Sequence, residues 1–126
     1  MKNIIILLFA APLLSSAQQQ APSTMKKQAP LTCKLTSKEL QERKVTILAS
    51  LKKQIIQKQP LSNGYAYKFS GSDAMIDELS DFIKTERQCC DFFDFSVQTK
   101  GDGSVTWLHI TGPPGAQQFI TSELGL

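Results

Sequence analysis

Two segments of this chain carry apolar residues at the three- and four-residue spacing of an amphipathic helix, which limits how the rest can fold. The first is predicted from Ser37 to Gln57, and Thr36 with Glu39 has the spacing of a capping box at its start. The second is predicted to be capped by Ser72 or Asp73 and to run to about residue 87 or 89. The predicted apolar faces are Leu40, Ile47, Leu48, Leu51 and Ile55 in the first helix and Ile76, Leu79, Phe82 and Ile83 in the second.

Short segments with alternating apolar residues predict three strands, over residues 65–69, 93–97 and 104–110. The Gly-Asp-Gly sequence at 101–103 is expected to join the second and third strands as an antiparallel hairpin. A glycine- and proline-rich segment, residues 112–115, is expected to end the third strand and to lead into a last helix. The apolar residues of that helix are Ala116, Phe119, Ile120 and Leu124.

These elements form one domain, residues 31–126, with the predicted order α-β-α-β-β-α. Pro60, Asn63 and Gly64 are expected to end the first helix and to turn the chain. We expect an α+β fold with a three-stranded, largely antiparallel sheet and helices packed on one face. The internal β-α-β-β-α run is partly ferredoxin-like, by analogy alone. Residues 18–30, rich in Gln, Pro and Lys without an apolar period, predict a disordered leader before the domain.

The N-terminus has the three-part layout of a secretory signal peptide. Lys2 gives it a positive start, Ile4 to Leu14 form an apolar stretch, and Ser15 and Ala17 are small residues at a cleavage site. We therefore expect the first 17 residues to be removed and the mature protein to be periplasmic or secreted. The apolar stretch is shorter than the roughly 20 helical residues that span a bilayer, so no stable membrane insertion is expected after cleavage. The alternative is a buried N-terminal helix.

The charged residues exclude one class of function and predict how the helices meet. The 126 residues include 14 Lys and Arg against 11 Asp and Glu, and a net charge of +3 is too small for a dedicated nucleic-acid binder. Residues 31–60 hold seven basic and two acidic residues, whereas residues 71–94 hold two basic and seven acidic ones. We expect the two long helices to present complementary charges to each other. The alternative is an acidic patch at Asp77, Glu78 and Asp81 that recruits a cationic partner.

The three cysteines carry the strongest chemical signal. Cys33 lies just before the first helix, and Cys89 and Cys90 lie where the second helix gives way to a strand. Adjacent Cα atoms are about 3.8 Å apart, whereas a disulfide wants roughly 4.4–6.8 Å, so a Cys89–Cys90 bridge would be strained. One interpretation is a structural disulfide from Cys33 to either of them, with one thiol to spare. The other is that all three thiols converge on a soft ion such as Cu(I), Zn, Hg(II) or As(III).

Three further residues are supporting candidates for such a site. Arg87 is expected to stabilise thiolates and to lower their pKa. Glu86 is expected to orient Arg87 or to cap the first helix. His109, in the third predicted strand, is a candidate fourth ligand or base if it faces inward, and a packed or solvent-facing histidine is the alternative.

Several enzyme motifs are absent from the sequence. It has no C-x-x-C pair of the thioredoxin type, no G-x-S-x-G and no P-loop, and a single histidine cannot build a His₂Cys or His₃ metal site. We therefore expect a non-catalytic, exported thiol protein that binds a soft metal or metalloid ion. The alternatives are a thiol–disulfide redox protein or sensor, and an interaction module with a structural disulfide. The sequence indicates no particular protein partner.

Three short patterns connect the cysteines to the rest of the chain: C-x-L from residue 33, E-R-x-C-C-x-F from residue 86 and G-P-x-G-A-x-x-F from residue 112. In these patterns, over residues 33 to 120, the chain resembles a family of small, mostly uncharacterised bacterial proteins. The resemblance implies a shared fold and the same set of three thiols. This sequence departs from the family at Asp91, where a proline is common, and in its export signal.

Overall fold

The computed structural model describes residues 31–34 and 37–126, so the predicted signal peptide, the leader and Thr36 lie outside the described residues. The described chain is an α+β fold in which helices pack against a four-stranded antiparallel sheet. The elements in chain order are helix α1 (Lys38–Gln54), strands β1 (Gln57–Leu61) and β2 (Gly64–Ser70), helix α2 (Asp73–Cys89), strands β3 (Asp94–Thr99) and β4 (Val105–Thr111), helix α3 (Ala116–Phe119) and a π-helical turn (Ile120–Leu124). None of the described helices is long and apolar enough to cross a membrane.

Helix α1 begins one residue later than the capping-box prediction, because its N-cap is Ser37. The Ser37 hydroxyl accepts a hydrogen bond from the Leu40 N–H at 3.2 Å. This register places Glu39 at the second helical position, where it cannot close the predicted box. The acidic side chain still faces the partial positive charge of the helix N-terminus. The helix ends at Gln54 instead of the predicted position 57, because Ile55 adopts extended backbone.

The prediction of three strands is wrong, because β1 is a fourth strand and the sheet order is β1-β2-β4-β3. The sequence of β1, QKQPL, shows no apolar alternation, and four of its five residues are exposed. It pairs antiparallel with β2, with Pro60 opposite Tyr65 and Leu61 opposite Gly64. An edge strand tolerates a proline, which has no N–H to donate to a neighbour. Pro60 therefore lies within a strand instead of ending a helix.

The core lies between the helices and one face of the sheet. In the central strand β4, Thr106, Leu108 and Ile110 are buried, whereas Trp107 and His109 point to the opposite face and are half-buried. Leu108 and Ile110 share one apolar cluster with residues of all three helices. The helical members of this cluster are Leu51, Met75, Leu79, Phe82, Cys89, Ala116 and Phe119.

Helices α1 and α2 contact each other and present complementary charges, as the segregation of basic and acidic residues predicts. The guanidinium of Arg43 lies 3.6 Å from the carboxylate of Asp81. The side-chain amide of Gln54 donates to the Glu78 carboxylate at 2.8 Å. An exposed ion pair such as Arg43–Asp81 contributes at most about 1 kcal/mol to the stability of the fold. Two of the three residues of the predicted acidic patch are therefore engaged by α1.

Candidate metal centre

The three cysteines lie close together, although two separate segments supply them. Cys33 precedes α1 in the chain, Cys89 is the last residue of α2, and Cys90 is the C-cap of that helix. Their sulfur atoms all lie within 4.8 Å of one another, and the Cys89 and Cys90 sulfurs are 3.8 Å apart. All three are free thiols. Such a group can hold a metal ion.

Contacts around Lys34 join the two segments. Its N–H donates to the carbonyl of Cys89 at 2.7 Å, which satisfies an acceptor left free at the end of α2. Its ammonium forms an exposed ion pair with Asp91 at 2.8 Å. At Cys90 the backbone leaves the helical conformation, with φ −122° and ψ 70°. Cys33 is thus held beside the two adjacent thiols by the main chain of the residue that follows it.

A lysine ammonium lies among the three sulfurs. The Nζ atom of Lys44 is 3.3 Å from the sulfur of Cys33, 3.8 Å from that of Cys89 and 3.9 Å from that of Cys90. The residue is 7% exposed. Lysine is almost never buried to this extent unless it is paired, so its position identifies a polar site inside the core.

Glu86 is the partner of this lysine. One of its carboxylate oxygens, Oε2, lies 3.3 Å from the Lys44 Nζ atom, and the residue has no exposed surface. The other oxygen, Oε1, has no hydrogen-bond partner among the described residues. Burying a charge is costly unless an opposite charge compensates it. Lys44 supplies that compensation, so the prediction that Glu86 orients Arg87 or caps the first helix is wrong.

Sequence reasoning missed Lys44, although a signal for it was present. Lys44 interrupts the apolar stripe of α1, four residues after Leu40 and three before Ile47. Glu86 falls in the same way on the stripe of α2, three residues after Ile83. Oppositely charged residues inside the facing stripes of two helices predict a buried ion pair between them.

The two other supporting candidates lie away from the thiols. Arg87 is exposed, and it makes no hydrogen bond or ion pair with the cysteines in the described part of the chain. The cation that contacts the thiols is that of Lys44. His109 lies on the opposite face of the sheet and stacks on Trp107, with ring centroids 6.5 Å apart. The interpretation of a packed strand histidine is therefore the one that holds.

The surroundings of the thiols raise their pKa values instead of lowering them. Burial, a hydrogen bond with Cys33 and the charge of Glu86 raise the pKa of Cys89 to about 11, against the attraction of Lys44. The same causes raise the pKa of Cys90 further. Burial lowers the pKa of Lys44, but the charge of Glu86 and the contacts with the three cysteines outweigh it and raise that pKa overall. The expectation of a lowered thiol pKa is wrong, and the two buried thiols carry their protons at neutral pH.

The spacing of the sulfurs suits one ion bound by three ligands. Three equal bonds of about 2.3 Å to one ion place the sulfur atoms at most about 4.0 Å apart, the value for a planar centre. The observed sulfurs are separated by no more than 4.8 Å, so small side-chain rotations close the site. An ion at its centre lies next to the Lys44 ammonium, which is within 3.9 Å of every sulfur.

Comparison with known proteins adds no assignment. The sequence matches no family model, no curated protein and no solved structure. The resemblance of the cysteine segments to a bacterial family stays a prediction. The function has to be argued from the three thiols and the ion pair beside them.

Proposed function

We propose that this protein is a non-catalytic, exported thiol protein that binds one soft metal or metalloid ion through Cys33, Cys89 and Cys90. The observation that carries the proposal is the convergence of three sulfurs, from two segments of the chain, to within 4.8 Å of one another. Thiolates prefer soft and borderline centres such as Cu(I), Zn, Hg(II) and As(III) over Ca or Mg. Two of the three sulfurs are buried, which shields a bound ion from water.

The protonation state of the buried thiols favours a binding function over a catalytic one. A cysteine attacks a substrate as its thiolate, and the pKa of Cys89 is raised to about 11. Metal coordination displaces the thiol proton, so a high pKa weakens binding but does not prevent it. His109, the one histidine, lies on the other face of the sheet and cannot act as a base for these thiols.

A thiol–disulfide protein is the second candidate, and the partial exposure of Cys33 favours it. A half-buried thiol within reach of two buried ones can form a bridge to either and leave the third to resolve it. An oxidising compartment would favour that chemistry. A permanent bridge from Cys33 to Cys89 or Cys90 would instead make the cysteines structural.

Thiol titration and native mass spectrometry of the mature protein test these alternatives together. We expect three titratable thiols, and one bound ion after addition of one equivalent of Hg(II), Cu(I) or As(III). Binding of the ion should protect all three thiols from alkylation. One titratable thiol and no bound ion would support a structural disulfide and contradict the proposal. Reversible interconversion between one and three thiols, without ion binding, would support the redox candidate.

Export is tested separately by N-terminal sequencing of the protein from its native source. We expect the mature chain to begin at Gln18, because Ser15 and Ala17 are the small residues that a signal peptidase requires. A mature protein that begins at Met1 would contradict this part of the proposal. The metal site would then have to be assigned to a reducing compartment, where thiols stay free.

A further inference from the structure

Two buried side chains of opposite charge, Lys44 and Glu86, lie beside the three thiols and compensate each other before any ion binds. Lys44 is 7% exposed and Glu86 is fully buried, and their charged groups are 3.3 Å apart. As an ammonium and a carboxylate in ion-pair contact, the two side chains together carry no net charge. Any net charge at the loaded site therefore comes from the bound ion and its three thiolates.

The three thiolates distinguish ions by their valence. With a trivalent ion they form a neutral complex, with Zn(II) or Hg(II) the complex has one negative charge, and with Cu(I) it has two. A net charge kept out of water is costly unless a counter-charge lies close to it. Lys44 is already neutralised by Glu86, so it offers no free positive charge to a negative complex.

The number of ligands that the site offers also favours an ion that makes only three bonds. The protein supplies three sulfurs, and Lys44 covers the position next to all of them at 3.3–3.9 Å. Zinc almost always takes four ligands in structural sites, and here a protonated ammonium occupies the approach. An ion that makes three bonds and keeps a lone pair, as As(III) does, needs no fourth ligand.

We propose that the site selects a trivalent metalloid of the As(III) type, and that the Lys44–Glu86 pair sets this preference. The inference rests on the proposed function and names the ion class for the same site. Arsenous acid, As(OH)₃, reacts with three thiols: three As–O and three S–H bonds break, and three As–S bonds and three water molecules form. No electron is transferred and no net proton is released. Zn(II), in contrast, displaces up to three protons from the same thiols.

The test changes the enclosed charge and compares the affinities for arsenite and Zn(II). Glu86→Gln leaves Lys44 uncompensated, so an As(III) complex becomes positive and a Zn(II) complex becomes neutral. The double variant Lys44→Arg with Glu86→Gln keeps that extra positive charge at any pH of the experiment, because arginine does not lose its proton. Lys44→Met with Glu86→Gln removes both charges and restores the balance. Circular dichroism of each reduced, metal-free variant confirms that it is folded.

We expect the ratio of arsenite to Zn(II) affinity to fall at least tenfold in both variants with an uncompensated cation. The ratio should return to within about threefold of wild type when both charges are removed. Calorimetry in buffers of different ionisation enthalpy should show no net proton release for arsenite and release for Zn(II). An unchanged ratio in the folded arginine variant would overturn the inference while leaving the metal site intact. If wild type with three free thiols binds none of arsenite, Zn(II) and Hg(II), the proposed function itself fails.

Discussion

At the scale of single residues, the buried ion pair between Lys44 and Glu86 affects the free energy of unfolding. Lys44→Met leaves a fully buried carboxyl without its partner. Removing one member of a buried pair typically costs about 3–5 kcal/mol, and protonation of the carboxyl recovers part of this. We expect a loss of about 2–4 kcal/mol in the free energy of unfolding, from urea melts of reduced, metal-free protein.

The double variant Lys44→Met with Glu86→Gln is the control for this prediction. Both charges are gone, so its loss should be smaller than the sum of the two single losses. Strict additivity of the single losses would show that the two groups are not coupled in the folded protein.

The role of Cys33 is also decided at this scale, because it is the most accessible of the three thiols. If three sulfurs share one ion, Cys33→Ser leaves two and should weaken binding of a soft ion at least tenfold, or about 1.4 kcal/mol. The free energy of unfolding of the reduced, metal-free protein should change little, because the Cys33 side chain is half-buried and serine nearly preserves its volume. Competitive metal titration and urea melts on the same variant measure both effects.

A structural disulfide would reverse this result for Cys33→Ser. The bridge would close a loop of more than fifty residues, and its loss would cost about 2–4 kcal/mol under oxidising conditions. Ion affinity would then depend on the adjacent pair alone. Unchanged affinity with a large loss of oxidised stability would therefore contradict the shared site.

At the scale of elements, the close pairing of β2 with β4 depends on Gly64. A Cβ atom added there would overlap the carbonyl oxygen of Ile110 in the neighbouring strand. Because the atoms that the added Cβ meets are main-chain atoms of a neighbouring central strand, the clash cannot be relieved by a rotamer change. We expect Gly64→Ala to cost at least about 2 kcal/mol in urea melts. Gly101→Ala is the matched control, since nothing lies within 4 Å of its added Cβ, and an equal loss there would refute this explanation.

The elements also show how far the sequence determines the fold. Helices α1 and α2 could be predicted because their apolar stripes have a helical period, and β2, β3 and β4 because they alternate. Strand β1 could not, since QKQPL is an exposed edge whose pairing comes from the backbone and not from an apolar face. The helix start was misplaced because Thr36 and Ser37 are both good N-caps, and tertiary context decides between adjacent candidates.

The candidate site was predictable in its ligands but not in its electrostatics. Cys89 and Cys90 lie at the end of α2 and Cys33 lies in the segment before α1, where parts of the chain far apart in sequence can meet. The sequence neighbour Arg87 was expected to supply the positive charge, yet a helical side chain two positions from Cys89 points to a different side of α2. Lys44 supplies it from α1, forty-five residues away from Cys89. The positions of Lys44 and Glu86 in their apolar stripes indicate a buried ion pair, but which thiols Lys44 reaches depends on how the two helices pack, which local spacing does not specify.

At the scale of the whole molecule, the buried thiols make the metal-free protein sensitive to alkaline pH. The pKa of Cys89 rises from 9.0 to about 11 on folding, so between these values the folded state binds more protons than the unfolded one. Stability is then complete below pH 9 and falls as pH rises toward 11. The pKa values of Cys90 and Lys44 are also raised, and they act in the same direction.

We expect the reduced, metal-free protein to lose about 1–3 kcal/mol of unfolding free energy between pH 9 and pH 11, measured by urea melts at a series of pH values. Cys89→Ala removes one of the responsible groups and should flatten the decline, whereas Gly101→Ala should leave it unchanged. A bound ion should also flatten it, because its three thiolates have already given up their protons and nothing remains to titrate at those sulfurs. Stability that is constant or rises over this range in metal-free protein would show that the thiols are not buried as protonated groups. The charge balance that Lys44 and Glu86 maintain around them would then need a different explanation.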